Sequence, residues 1–173
     1  MGIVATLQAS QKKPKEKCTT ITKAILADPK AILELFELFQ HSPDPAKGLY
    51  ADVIEELSTH NPALIFPYLD ILIAHINYKA PHVTWGVQEA LGNMATDYPA
   101  EVHTALPHLM KNTTHTSTVV RWCAAYAIAE LTIHTTDHQD DLIRTIKKII
   151  TKEKNNGVRN VYLKALKKLG RDK

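Results

Sequence analysis

One dipeptide pattern recurs at a nearly fixed interval along the chain. Val53-Ile54, Ala90-Leu91, Ala127-Ile128 and Ala165-Leu166 follow one another at 37, 37 and 38 residues. Self-similarity at such a period marks stacked helical units, because one unit cannot cover its own apolar face. The stretch from Val120 to Leu131 shows the unit most clearly. Val120, Cys123, Ala124, Ala127, Ile128 and Leu131 fall on one broad stripe of an α-helix. The alanines at 124, 125, 127 and 129 let its backbone approach a neighbouring helix closely. The segment before this helix repeats too. Val102, Ala105, Leu106, Leu109 and Met110 map, at an interval of 37, onto Ile65, Tyr68, Leu69, Leu72 and Ile73.

Turn and breaker residues divide the rest. Asp28-Pro29 separates helices over 17–27 and 30–40, since the residue before proline avoids the helical region. His41-Ser42-Pro43-Asp44-Pro45 precedes a helix over 46–59, and Asn61-Pro62 opens another over 63–77, with Pro67 in or near its first turn. Helices over 81–96 and 100–112 flank Asp97-Tyr98-Pro99. Helices over 118–134, 138–153 and 158–169 complete the chain, the last stopped by Gly170. That makes about nine helices and no strand. Short connections require antiparallel neighbours. The predicted fold is an all-α, α-α superhelix with pairs over 17–40, 46–77, 81–112 and 118–153 and a closing half repeat over 157–170. Residues 1–16 read as a flexible basic lead-in to this single domain.

At Val120-Arg121 followed by CAAYAIAEL, and at Val158-Arg159 followed by NVYLKALKKLG, the sequence resembles the HEAT repeat. FPYL at 66–69 and LPHL at 106–109 resemble that family's second helix. The resemblance covers roughly residues 46–170. It implies a scaffold whose second helices line the concave side, with no shared catalytic residues. The Val-Arg pair is absent from the helix over 46–59, and Val83-Thr84 lacks the arginine.

Charge is unevenly spread. Residues 1–17 hold four Lys and one Glu. Residues 18–141 hold six Lys or Arg against fifteen acids, and residues 142–173 hold eleven against two. An acidic body with a basic C-terminal end speaks of partners rather than fold. Arg144, Lys147, Lys148 and Lys152 share the polar face of the helix over 138–153. A phosphate backbone or an acidic protein suits them, although only Tyr162 lies nearby to stack a base. Trp85 and Trp122 stand at equivalent repeat positions, where they either seal a seam or anchor a partner. His108 is a further surface candidate.

Catalytic and metal readings find little support. His134 and His138 lie four apart beside Asp137, but they straddle a break and lack a third ligand at zinc spacing. No Gly-rich phosphate loop, nucleophile elbow or HExxH motif occurs. No cofactor or metal is expected. Cys123 falls on the buried stripe, so it and Cys18 read as reduced thiols of a cytoplasmic protein. No apolar run approaches the ~20 residues needed to cross a bilayer, and no secretory signal opens the chain. Gly2 and Thr6 fit the loose myristoylation pattern, a match short enough for chance to explain. The expected function is a non-enzymatic scaffold, a monomer or weak self-associator, that holds a protein partner in its concave groove. An acidic partner suits its basic end. The alternative is a nucleic-acid-binding module using that same end.

Overall fold

The computed structural model describes residues 2–173. The chain opens with α1 (Ile3–Gln8) and α2 (Pro14–Ala27), and a 3-10 turn at Pro29–Ala31 leads into α3 (Ile32–His41). Next come α4 (Asp44–His60), α5 (Pro62–Ile65), a 3-10 turn at Phe66–Tyr68 and α6 (Leu69–His75). The order repeats in α7 (Pro81–Met94), α8 (Pro99–His103) and α9 (Leu106–Asn112). It closes with α10 (Thr118–His134), α11 (Gln139–Lys152) and α12 (Asn156–Lys168). No strand occurs among the described residues. The all-α superhelix expected from the repeat is the fold.

Local chemistry sets the boundaries. The Ser117 hydroxyl accepts from the Val120 amide at the start of α10, and Asn155 Oδ1 accepts from the Val158 amide at the start of α12. Gly170 adopts a φ of 66° and ends the last helix. The second helices differ from expectation. Pro67 and Pro107 lack the amide that a continuous helix would use, so 62–75 and 99–112 each split into two shorter helices. The two splits turn the expected nine helices into eleven, and α1 makes twelve α-helical segments among the described residues. Each central unit has three helices, an armadillo-like layout.

The long helices α2, α4, α7, α10 and α12 lie side by side as one layer, with their most extensive contacts between successive members. Repeat register explains the packing. Val53, Ala90, Ala127 and Ala165 are buried at equivalent positions, as are Ile54, Leu91, Ile128 and Leu166. The short helices form a second layer. Small residues set the spacing in the first layer: a Cβ on Gly86 would stand 2.7 Å from the Ala51 carbonyl carbon and oxygen. Large rings set it in the second. Phe36 stacks on Tyr68 at 4.0 Å between centroids, Phe66 on Tyr98 at 4.2 Å, and His103 on His138 at 4.5 Å.

Polar groups tie the layers together. Asn112 is buried and donates to the Ile76 carbonyl at 2.7 Å and to Gln88 Oε1 at 3.0 Å. Gln88, also buried, donates to the Val120 carbonyl at 3.2 Å. The lead-in is more ordered than its sequence suggests. Val4 is fully buried, and the Glu34 carboxylate accepts from the amides of Val4 and Ala5 at the start of α1. Residues 3–8 are thus a docked helix rather than a flexible tail.

Candidate functional site

Two surfaces carry functional side chains, and the residues expected to work together divide between them. The first is the solvent-facing side of the long helices, here the ladder face. Trp85, Glu89 and Asn93 rise along α7 at intervals of four residues. Trp122, Tyr126 and Glu130 do the same along α10, one repeat further on. Asp52 and Glu56 hold the matching rungs of α4. All except Trp122, which is 40% exposed, are only half-exposed.

Hydrogen bonds cross the rungs. The Tyr126 hydroxyl donates to Asn93 Oδ1 at 2.5 Å, and Asn93 Nδ2 donates to the Ser58 and Thr59 hydroxyls at 3.0 and 3.1 Å. The Cys18 and Cys123 thiols donate to Glu56 and Glu89 at 3.1 and 3.3 Å. Burial, followed by the carboxylate partner, pushes both thiols far above their ordinary range, which disfavours the thiolate. Both cysteines are free. Burial raises the Glu55 carboxyl, and the Glu89 charge adds to the effect. Burial also raises Asp52, against the pull of His82 Nε2 at 2.9 Å. Burial and then the charges of Glu130, Glu89 and Glu55 push the Tyr126 phenol up to about 12. The face is therefore a partly desolvated, negatively charged surface floored by aromatic rings. A depression of about 300 Å³ opens on it beside Asn93, Tyr126 and Glu130.

The second surface is a cleft of about 720 Å³ between the 113–117 link, the start of α10 and α11. Lys148 and Lys152 border it, with Lys154 beyond the end of α11. Arg121 holds its wall together. Its guanidinium donates to both Glu153 carboxylate oxygens, through Nε at 2.9 Å and a terminal nitrogen at 3.4 Å, and to the His115 carbonyl at 2.9 Å. Burial opposes ionisation of Glu153. Hydrogen bonds from Arg121 and the Asn155 amide outweigh it and hold the carboxyl below its usual range.

The remaining candidates scatter. Arg144 pairs with Asp141 on its own helix, and Lys147 donates to the Lys173 carbonyl at 3.1 Å. Neither borders the cleft. His108 bridges adjacent second helices: its ring Nδ1 lies 3.2 Å from Asn77 Oδ1, and its carbonyl accepts from Asn77 Nδ2. Trp85 and Trp122 do share one face, in register, with Trp85 tilted against His82 and Trp122 stacked near Tyr126. His134 and His138 part company, the first pairing with Glu130 and the second stacking on His103. Glu89, Asn93, Tyr126 and Glu130 escaped the sequence reading. Counting four and eight residues on from each tryptophan would have found them.

No family model matches the sequence, and no curated protein matches it. Solved structures do. An engineered protein superposes with a TM-score of 0.71 at 17% identity, over 96% of this chain and 78% of its own. A designed armadillo repeat protein in complex with the peptide (KR)4 gives 0.71 at 14% identity, over 97% and 87%. Another computationally designed armadillo repeat protein, made for modular peptide recognition, gives 0.69 at 15% identity, over 95% and 79%. These likenesses define the class of fold: the chain is an armadillo/HEAT-like α-solenoid.

Proposed function

We propose that this protein is a non-enzymatic scaffold that binds an extended segment of a protein partner across its ladder face. The observation that carries this reading is the register of that face. Tryptophan recurs one repeat apart at Trp85 and Trp122, and the polar residues Glu89 and Tyr126, and Asn93 and Glu130, hold matching positions behind it. An extended peptide also presents its side chains at regular intervals, so it can meet the two tryptophans alike. The carboxylates of Asp52, Glu55, Glu89 and Glu130 make a Lys- or Arg-bearing segment the complementary occupant. The designed relative solved with (KR)4 supports the choice of such a peptide as the probe. The acidic partner expected from the sequence suits only the opposite, basic end. A nucleic-acid reading would rest on the lysines of that end, where Tyr162 is fully buried and offers no stacking surface. The free thiols suit a reducing compartment, and we assign the protein to the cytoplasm.

Fluorescence anisotropy of a labelled Lys-Arg repeat octapeptide tests the proposal. Saturable binding is expected, weakened about tenfold by E89Q/E130Q and steeply by salt. Equal binding of a Glu-Ser octapeptide, or no effect of E89Q/E130Q, would overturn it.

A further inference from the structure

The cleft between the last two repeats lies away from the ladder face and has its own chemistry. We propose that it is a second binding site, one that takes an acidic peptide segment carrying an apolar side chain. Charge is the first argument. Lys148, Lys152 and Lys154 border the cleft, and none of them has an ion-pair partner among the described residues. The one acid in the wall, Glu153, is already satisfied by Arg121 and the Asn155 amide. The local field is that of three free ammonium groups.

The floor is the second argument. Met110 and Ile149 are half-buried and pack on the hydrophobic core while also lining the cleft. At about 720 Å³ the space accepts a side chain together with its flanking main chain.

Hydrogen-bond polarity decides the ligand class. The hydroxyls of Thr113, Thr114 and Thr145 all donate to carbonyls of their own segment: Met110 at 2.8 Å, Lys111 at 3.4 Å and Asp141 at 2.9 Å. They therefore offer the cleft only acceptor lone pairs. His115 Nδ1 accepts from the Ser117 amide at 3.0 Å, which leaves the neutral ring's proton on Nε2. The site thus presents lysine and imidazole donors, hydroxyl acceptors and an apolar patch. Phosphate oxygens would satisfy the donors and leave the hydroxyls idle. A peptide satisfies all three, with carboxylates for the lysines, main-chain N–H groups for the threonines and one aliphatic side chain for the floor. The cleft has no Phe, Tyr or Trp to stack a base.

The test uses the full chain and a fluorescein-labelled Asp-Glu-Leu-Asp-Glu peptide at low salt. Saturable binding is expected, with about tenfold loss in K148E/K152E and about threefold loss when the peptide leucine is replaced by glutamine. E89Q/E130Q leaves this binding unchanged, which separates it from the ladder-face reading. Both lysines are exposed, so K148E/K152E should keep its helical circular dichroism. If it does not, K154E replaces it, with a loss of about threefold expected. The proposal is overturned by absent binding, by undiminished binding in the folded lysine variant, by equal binding of the glutamine peptide, or by tighter binding of a ten-residue oligothymidylate.

Discussion

The Tyr126 hydroxyl reaches across the seam between α10 and α7 to donate a 2.5 Å hydrogen bond to Asn93 Oδ1. Asn93 hands the thread on to Ser58 and Thr59 of α4. Three successive long helices are thereby joined by side chains that also form the ladder face. Tyr126→Phe removes the donor and leaves a half-buried amide oxygen unpaired, which costs about 1 kcal/mol. Asn93→Ala costs somewhat more, because it also frees the hydroxyls of α4. A double-mutant cycle measured by urea unfolding should return a coupling of about 1 kcal/mol between the two residues. Strict additivity would contradict the bond.

The same tyrosine sets a pH dependence. Its phenol is pushed up to about 12 in the fold, against about 10 for an unfolded chain. The folded state therefore holds this proton more tightly. Its contribution to stability is complete below pH 10 and is lost as pH rises from about 10 to 12. Burial raises Tyr162 further still, so near-ultraviolet phenolate absorbance should show several tyrosines ionising late, and Y126F should lose one of them while the last step, that of Tyr162, remains. The stability of Y126F should also fall less over the same window than that of the parent.

Two glycines give opposite outcomes on the same substitution. Gly86→Ala drives a Cβ to 2.7 Å from the backbone of Ala51, where α4 and α7 touch. Backbone cannot yield cheaply, so the helix-propensity gain of about 1 kcal/mol is outweighed by an overpacking cost of about 2–3 kcal/mol. The atoms nearest a Cβ on Gly48 belong to the His82 ring, the closest at 2.8 Å, on an exposed side chain that can shift at the expense of its hydrogen bond to Asp52. That variant should be neutral or up to about 1 kcal/mol more stable. Thermal melts of the two variants check the sign of each.

How much of this was legible follows from the period. The long helices could be read because Val53, Ala90, Ala127 and Ala165 repeat an interior position, and a repeated interior position fixes its neighbours as well. The split second helices were harder. Pro67 was assigned to the tolerant first turn, yet it lies five residues after Pro62 and interrupts the helix. The docking of α1 depends on Glu34, thirty residues away from Val4, and no local pattern encodes such a pairing. Arg121 was read as a family signature, and its bond to Glu153 shows what it does here.

That ion pair yields a prediction of its own. The side chains of Arg121 and Glu153 are 19% and 5% exposed, and Arg121→Ala would strand a buried carboxylate and cost about 2–3 kcal/mol. Arg121→Lys should recover only part of this, since lysine cannot match the two carboxylate oxygens as a fork. The Glu153 carboxyl lies below its usual value, so its contribution is present above the unfolded carboxyl pKa and lost as pH falls through the folded one. Acid unfolding of E153Q should therefore be less steep than that of the parent below about pH 4.5.

The central claim is a one-dimensional stack in which each long helix is held mainly by the next. Native-state amide hydrogen exchange tests it most directly. Amides of α7, the middle of the five, should exchange slowest, with protection falling outward through α4 and α10 to α2 and α12. Uniform protection across all five helices, lost in a single cooperative step, would contradict the stack and point to one closed core.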